Sequence, residues 1–229
     1  VFAELSQLLV RLAREPRVRS LLIRSGKPDI FIAGADIKEF LHTAPEEASE
    51  GVQRGQAIFE QLAHLPYPTV AAINGHCFGG GLELALACDF RIAAKRAKLG
   101  QTEVNLGLVP GAGGSQRLVR ILGQAKAKEL VMLGSRLTAD EAASLGLVTK
   151  TVENDAFPSE VRAFAEKLAK QAPIAIRLAK VLLNRSGDIP IDAALEMEAM
   201  AFGLVTSSED LFEGLQAFME KREPKFKGE

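Results

Sequence analysis

Two glutamates and two glycine clusters carry the chemistry that this sequence offers. Residues 74–103 read NGHCFGGGLELALACDFRIAAKRAKLGQTE. Gly79, Gly80 and Gly81 stand directly before an apolar run, LELALAC, that predicts a helix with Glu83 in its first turn. Glycines at that place let the backbone approach a ligand closely. The free N–H groups and positive dipole end of the helix then face the ligand and can stabilise an anion. Glu103 follows about one strand later, and a second cluster, PGAGG at 110–114, opens another helix. A carboxylate in a first helical turn is ordinarily explained by the dipole alone. Glu83, however, sits inside an otherwise apolar run, where burial costs free energy unless the group is protonated, paired or used. Each feature alone is weak. Together they form one constellation: two carboxylates, a backbone-amide anion site and a second glycine loop.

The elements that must position these residues can be read from periodicity. Residues 1–16 show an amphipathic helix, with Val1, Leu5, Leu8, Leu9 and Leu12 on one face and Pro16 past its end. SLLIRS (20–25) is a short apolar strand. In GKPDIFIAGADIKEF (26–40) an apolar segment ends at Gly34, and a helix is expected to start near Asp36. The polar, acidic stretch 42–56 is read as a mobile loop or loose helix forming a pocket wall. A helix over 55–65 is stopped by Pro66 and Pro68, and TVAAI (69–73) is a buried strand feeding the first glycine cluster. DFRIAA (89–94) is another strand, and Glu103 reads as a strand-end charge. Helices are expected over 115–122, with Ser115 as its cap, and over 125–133. The helix TADEAASLG (138–146) is capped by Thr138 with Glu141 three residues on and closed by Gly146. LVTKTV (147–152) is a last strand. From about residue 156 only helical patterns remain, over 159–171, 173–185, 190–205 and 208–222. Strands alternating with helices, then helices alone, predict an α/β core (1–155) with an all-helical C-terminal region (156–229).

Composition narrows the function classes. With 28 basic and 29 acidic residues the formal net charge is −1, so there is no electrostatic footprint for nucleic acid or a membrane surface. No apolar run has the length of a transmembrane helix. Two cysteines, Cys77 and Cys88, do not make a disulfide scaffold and suit a reducing compartment. His42, His64 and His76 lack metal-ligand spacing, and no metal site is expected. His76 and Cys77 are expected to pack or to line the pocket. The chain opens at Val1 within a helical pattern, and further residues are expected to precede it.

The sequence resembles the crotonase superfamily, the enoyl-CoA hydratase/isomerase family. The resemblance is carried by FIAGADIKEF (31–40), NGHCFGGGLELALACDFRIA (74–93), KLGQTEVNLGLVPGAGGSQRL (98–118), the TADEA helix followed by GLV (138–148), and FMEKREPKF (218–226). The family's usual strand pair before the first helix has no counterpart here. The resemblance implies a ββα spiral core with a helical trimerisation region, assembly as a homotrimer or homohexamer, and acyl-CoA substrates. Coenzyme A is then part of the substrate, and no separate cofactor is expected. It implies an oxyanion hole from the N–H groups of Ala35 and Gly80, and catalysis by Glu83 and Glu103. Glu103 matches the proton donor and Glu83 the residue that positions and activates water. Residues 33–38, among them Ala33, Ala35, Asp36, Ile37 and Lys38, together with Gly80, are expected to contact the CoA ester. Gly111 is expected to shape the water site, and Lys225 or Lys227 to reach a CoA phosphate.

Both glutamates stand in a hydratase context, GGGLE and GQTE, which favours hydration of a 2-enoyl-CoA over Δ3,Δ2-enoyl-CoA isomerisation. Branched substrates of the methylglutaconyl type fit the same pair. Some members of the family bind AU-rich RNA; the charge balance and the lack of a basic, aromatic-interleaved patch argue against it here. A catalytically silent acyl-CoA-binding protein would not need the intact pair. The expected location is the cytoplasm, or the mitochondrial matrix.

Overall fold

The computed structural model describes residues 2–34, 36 and 43–229. After α1 (Phe2–Ala13), the chain lays down strands in pairs. β1 (Leu21–Arg24) and β2 (Ile30–Ile32) precede α2 (Pro45–Ala63). β3 (Thr69–Ile73) and β4 (His76–Phe78) precede α3 (Gly80–Ala87). β5 (Phe90–Ala94) and β6 (Lys98–Gly100) precede a 3-10 turn (Glu103–Leu106) and α4 (Gly114–Met132). The first strand of each pair joins one sheet and the second joins another. β7 (Arg136–Thr138), α5 (Ala139–Ser144) and β8 (Lys150–Val152) complete them. The first sheet is wholly parallel in the order β1-β3-β5-β8; the second runs β2-β4-β6-β7, with only β7 antiparallel. This is the ββα spiral expected from the sequence.

The core lies on both faces of the first sheet. Ala71, Ile73 and Ala93 face α3 and α4, while Val70, Ala72 and Ile92 face α6 (Phe157–Ala169) through Phe157 and Val161. A strand buried on both faces needs apolar residues, which VAAI supplies, and the buried Thr69 at its start donates its hydroxyl to Asp89 Oδ2 at 2.9 Å. Three further helices follow: α7 (Pro173–Arg185), α8 (Ile191–Val205) and α9 (Glu209–Glu220). Lys180 of α7 is tied to the sheet: its Nζ donates to Asp89 Oδ2 at 2.8 Å and to the Tyr67 carbonyl at 3.1 Å.

Several expectations change. The stretch read as a loop or loose helix from 42 becomes, from Pro45, part of one helix running to Ala63, because its turns pack Gly55, Ile58, Phe59 and Leu62 inward. β4 and β7 are strands that three-residue segments could not announce. Glu103 opens a 3-10 turn rather than ending a strand. The two helices read over 115–133 form one element broken at Gly123, whose φ of 75° and ψ of 165° are not helical. Its cap is Gly113, in the left-handed region, and Ser115 lies inside the first turn. In α1, Leu9 is buried and Leu8 is exposed. Thr138 caps α5 as expected: its Oγ1 accepts from the Glu141 N–H, and Glu141 Oε2 accepts from the Thr138 N–H. The helix start near Asp36 and the positions Ala35, Ile37 and Lys38 lie outside the described residues.

Candidate active site

The second sheet brings the first two glycine loops together. β2 and β4 are parallel neighbours, so the loops at their C-terminal ends, Ala33-Gly34 and Gly79-Gly80, lie side by side. A Cβ on Gly79 would fall 3.8 Å from the Gly34 Cα. Gly79 has φ +54°, a conformation that favours glycine, and leads into α3. Gly80 is the first helical residue, so its N–H has no acceptor within the helix. Helix α3 packs directly on the β2 backbone: a Cβ on Gly81 would lie 2.1 Å from the Ile32 carbonyl oxygen. At its other end, Arg91 donates from Nη1 to the Ala85 and Cys88 carbonyls and from Nε to the Leu147 carbonyl. The bond to Cys88 serves the carbonyl at the helix C-cap, while the Ala85 carbonyl also accepts from the Cys88 N–H at 3.2 Å.

Residues 81–87 are all buried, which places Glu83 in an apolar surround. Its side chain is 4% exposed, and Oε1 accepts from the Ala112 N–H at 2.7 Å and the Gly114 N–H at 2.9 Å. The second glycine loop is therefore a cradle for the Glu83 carboxylate. Burial pushes the carboxyl above its ordinary range; the two backbone N–H bonds pull it back, the Glu103 charge raises it further, and Arg117 lowers it. Oε2 accepts from none of the described residues and lies 4.0 Å from where a Gly80 Cβ would stand.

Glu103 reaches the same loop from the 3-10 turn after β6. Its Oε1 accepts from Gln101 Nε2 at 2.6 Å and lies 3.2 Å from where a Gly79 Cβ would stand. Its Oε2 is buried and has no hydrogen-bond partner among the described residues. The two glutamates thus share one arrangement at the glycine loop: one oxygen is held by N–H donors and the other is left open.

Of the residues singled out from the sequence, Glu83, Glu103, Gly80 and Gly111 converge here, with Ala33 exposed at the end of β2 and Asp36 exposed beyond it. Lys225 and Lys227 belong to a tail tied by its backbone to Glu213 and Asp210 of α9. Cys77 is core, and His76 is exposed, stacked on Phe78 with ring centroids 5.3 Å apart. Gln101, 1% exposed, was not singled out from the sequence; its hydrogen bond to Glu103 forms where Thr102 (φ −103°, ψ 11°) turns the chain out of β6, which no residue-type pattern signals. The partners of Glu83, the N–H groups of Ala112 and Gly114, are backbone groups and leave no residue-type signal.

Comparison with known proteins agrees with this geometry. Residues 1–229 match the family profile described as enoyl-CoA hydratase/isomerase. The chain is 46% identical, over 99% of its length and 79% of the relative's, to the human enoyl-CoA hydratase domain-containing protein 2, mitochondrial. It is 40% identical to the crotonyl-CoA hydratase of Syntrophomonas wolfei, covering 97% of this chain and 86% of that protein. The crystal structure of an enoyl-CoA hydratase from Bacillus anthracis superposes with a TM-score of 0.95 at 42% identity, covering all of this chain and 88% of that one. The chain belongs to the enoyl-CoA hydratase/isomerase family and is an enzyme of the hydro-lyase type.

Proposed function

We propose that this enzyme adds water across the 2,3 double bond of a 2-enoyl-CoA thioester. The observation that carries the reading is the glutamate pair at the glycine loop, each with one oxygen held and one open. In this reading one water and the C2–C3 bond lie between the two carboxylates. The water oxygen attacks C3 as its proton passes to Glu83. The electron pair of the double bond moves toward the thioester and builds enolate charge on its oxygen. Glu103 then delivers a proton to C2, and the proton on Glu83 passes to Glu103 to restore the starting state, so the sum is addition of H and OH. The N–H of Gly80, joined by that of Ala35, meets the enolate oxygen; such donors supply roughly 3–4 kcal/mol each to the transition state. The proton transfers balance without a metal or a redox cofactor.

Ala33, Ala35, Asp36, Ile37 and Lys38 are assigned to the CoA ester, Gly111 to the water, and Lys225 or Lys227 to a CoA phosphate. Residues 156–229 are assigned to self-association. The relatives named as mitochondrial and as bacterial hydratases fit the matrix and the cytoplasm as locations. A rat relative, 41% identical, is named methylglutaconyl-CoA hydratase, so a branched substrate is the second reading. The test is loss of ultraviolet absorbance by crotonyl-CoA, run on the parent, Glu83→Gln and Glu103→Gln. Bleaching by the parent and its loss in both variants is the expected result. A folded parent that converts only a 3-enoyl-CoA would be an isomerase, and one that is silent on both but hydrates a branched ester would be the methylglutaconyl type.

A further inference from the structure

We propose that Gln56 is a positioning residue for Glu83, acting through the peptide bond between Gly111 and Ala112; the inference rests on the acid–base role given to Glu83 above. In a trans peptide the C=O and the following N–H point in opposite directions. Gln56 Nε2 donates to the Gly111 carbonyl at 2.7 Å on one edge of this peptide. On the other edge the Ala112 N–H donates to Glu83 Oε1 at 2.7 Å. The two bonds together set the plane, and a hydrogen bond to the carbonyl polarises the N–H across it.

The neighbours of Gln56 support the same loop. Val52, Gln56 and Glu60 are spaced by four on α2 and so form one row. Val52 Cγ2 lies 3.0 Å from where a Gly111 Cβ would stand, which keeps position 111 small. Glu60 holds Arg117, whose Nη1 donates to the next carbonyl, Ala112 O, at 3.0 Å. Gln56 is the member of the row that touches the peptide carrying a Glu83 donor. Among the described residues the charged groups that act on Glu83 are Glu103 from the 3-10 turn and Arg117 from α4; Gln56→Leu alters neither, whereas Gln56→Lys adds a cation beside the Gly111 carbonyl.

The test uses Gln56→Leu, which removes the donor, and Gln56→Lys, which retains one, in the full chain. Two readouts are taken: kcat and KM for crotonyl-CoA against pH, and the pH titration of the Glu83 carboxyl carbon by NMR, assigned with Glu83→Gln. Losing one N–H bond to the carboxylate should lower kcat of Gln56→Leu about tenfold, with KM within about twofold. The carboxyl titration and the acidic limb of kcat should both move to higher pH by roughly half a unit or more. Gln56→Lys should return kcat toward the parent; its added cation lowers the carboxyl titration whether or not the donor is restored, so the titration is read on Gln56→Leu. An unmoved carboxyl titration in Gln56→Leu overturns the proposal, as does equal impairment of the two variants. Where the parent fails to hydrate crotonyl-CoA, the hydratase reading falls, and the carboxyl titration still decides on Gln56.

Discussion

At the residue scale, the site rests on two carboxylates that differ in their surroundings. Glu103 is held by one amide and keeps a buried oxygen open. Glu103→Gln removes the transferable proton and little else; turnover should fall roughly a thousandfold while binding of a CoA ester is retained, as read by calorimetry against steady-state rates. Glu83 carries a different signature. Its carboxyl is raised in the folded protein, chiefly by burial, so folding favours its protonated form. The stabilising side of that linkage is present below the ordinary carboxylate range and is lost as pH rises through the raised value. Glu83→Gln cannot ionise, so its melting temperature relative to the parent should climb across that window and level off above it. A difference independent of pH would contradict the buried, raised Glu83.

At the scale of elements, α3 is the part that aims the amide donors. Its place depends on the absent side chain at Gly81 and on the guanidinium of Arg91. Gly81→Ala drives a methyl into the Ile32 carbonyl and should cost about 1–3 kcal/mol in urea denaturation. Arg91→Met removes the side-chain donor from the Cys88 and Leu147 carbonyls and one of the two donors of the Ala85 carbonyl, and should cost about 3 kcal/mol or more. Both should also weaken catalysis in protein that remains folded, because Gly80 moves with the helix. The apolar character of α3 was legible in LELALAC, and so was the oddity of Glu83 within it. The row on α2 was not legible, since a polar stretch with few apolar residues gives no sign of which side packs on a glycine loop 55 residues away.

At the scale of the whole molecule, the C-terminal helices leave large side chains in water. Ile191, Leu195 and Phe202 on α8 and Phe212, Leu215 and Phe218 on α9 are all more than half exposed. Apolar residues at that density mark an interaction surface. We propose that they meet copies of the same chain. The combined change Phe212→Glu and Phe218→Glu should convert an oligomer to monomers in size-exclusion chromatography with light scattering, at unchanged helicity. A monomeric parent would remove that assignment.

Local pattern was enough for much of this protein. The glycine-to-helix junctions, the Thr138 capping box, the buried TVAAI strand and the run of C-terminal helices each depend on residues within a few positions of one another. Glu83 could be singled out for the same reason: a charge in an apolar run is a contradiction visible in one dimension, whereas Glu103 stood out only beside it and through the family resemblance. What required the tertiary structure are the relations that cross the chain. Short strands such as β4 and β7 exist because a neighbour pairs with them. Ser115 yields the cap to Gly113 because the loop before α4 closes over Glu83. The partners of Glu83 are backbone N–H groups, which every residue but proline possesses. Only the packing of α2, α3 and α4 decides which of those groups face a carboxylate.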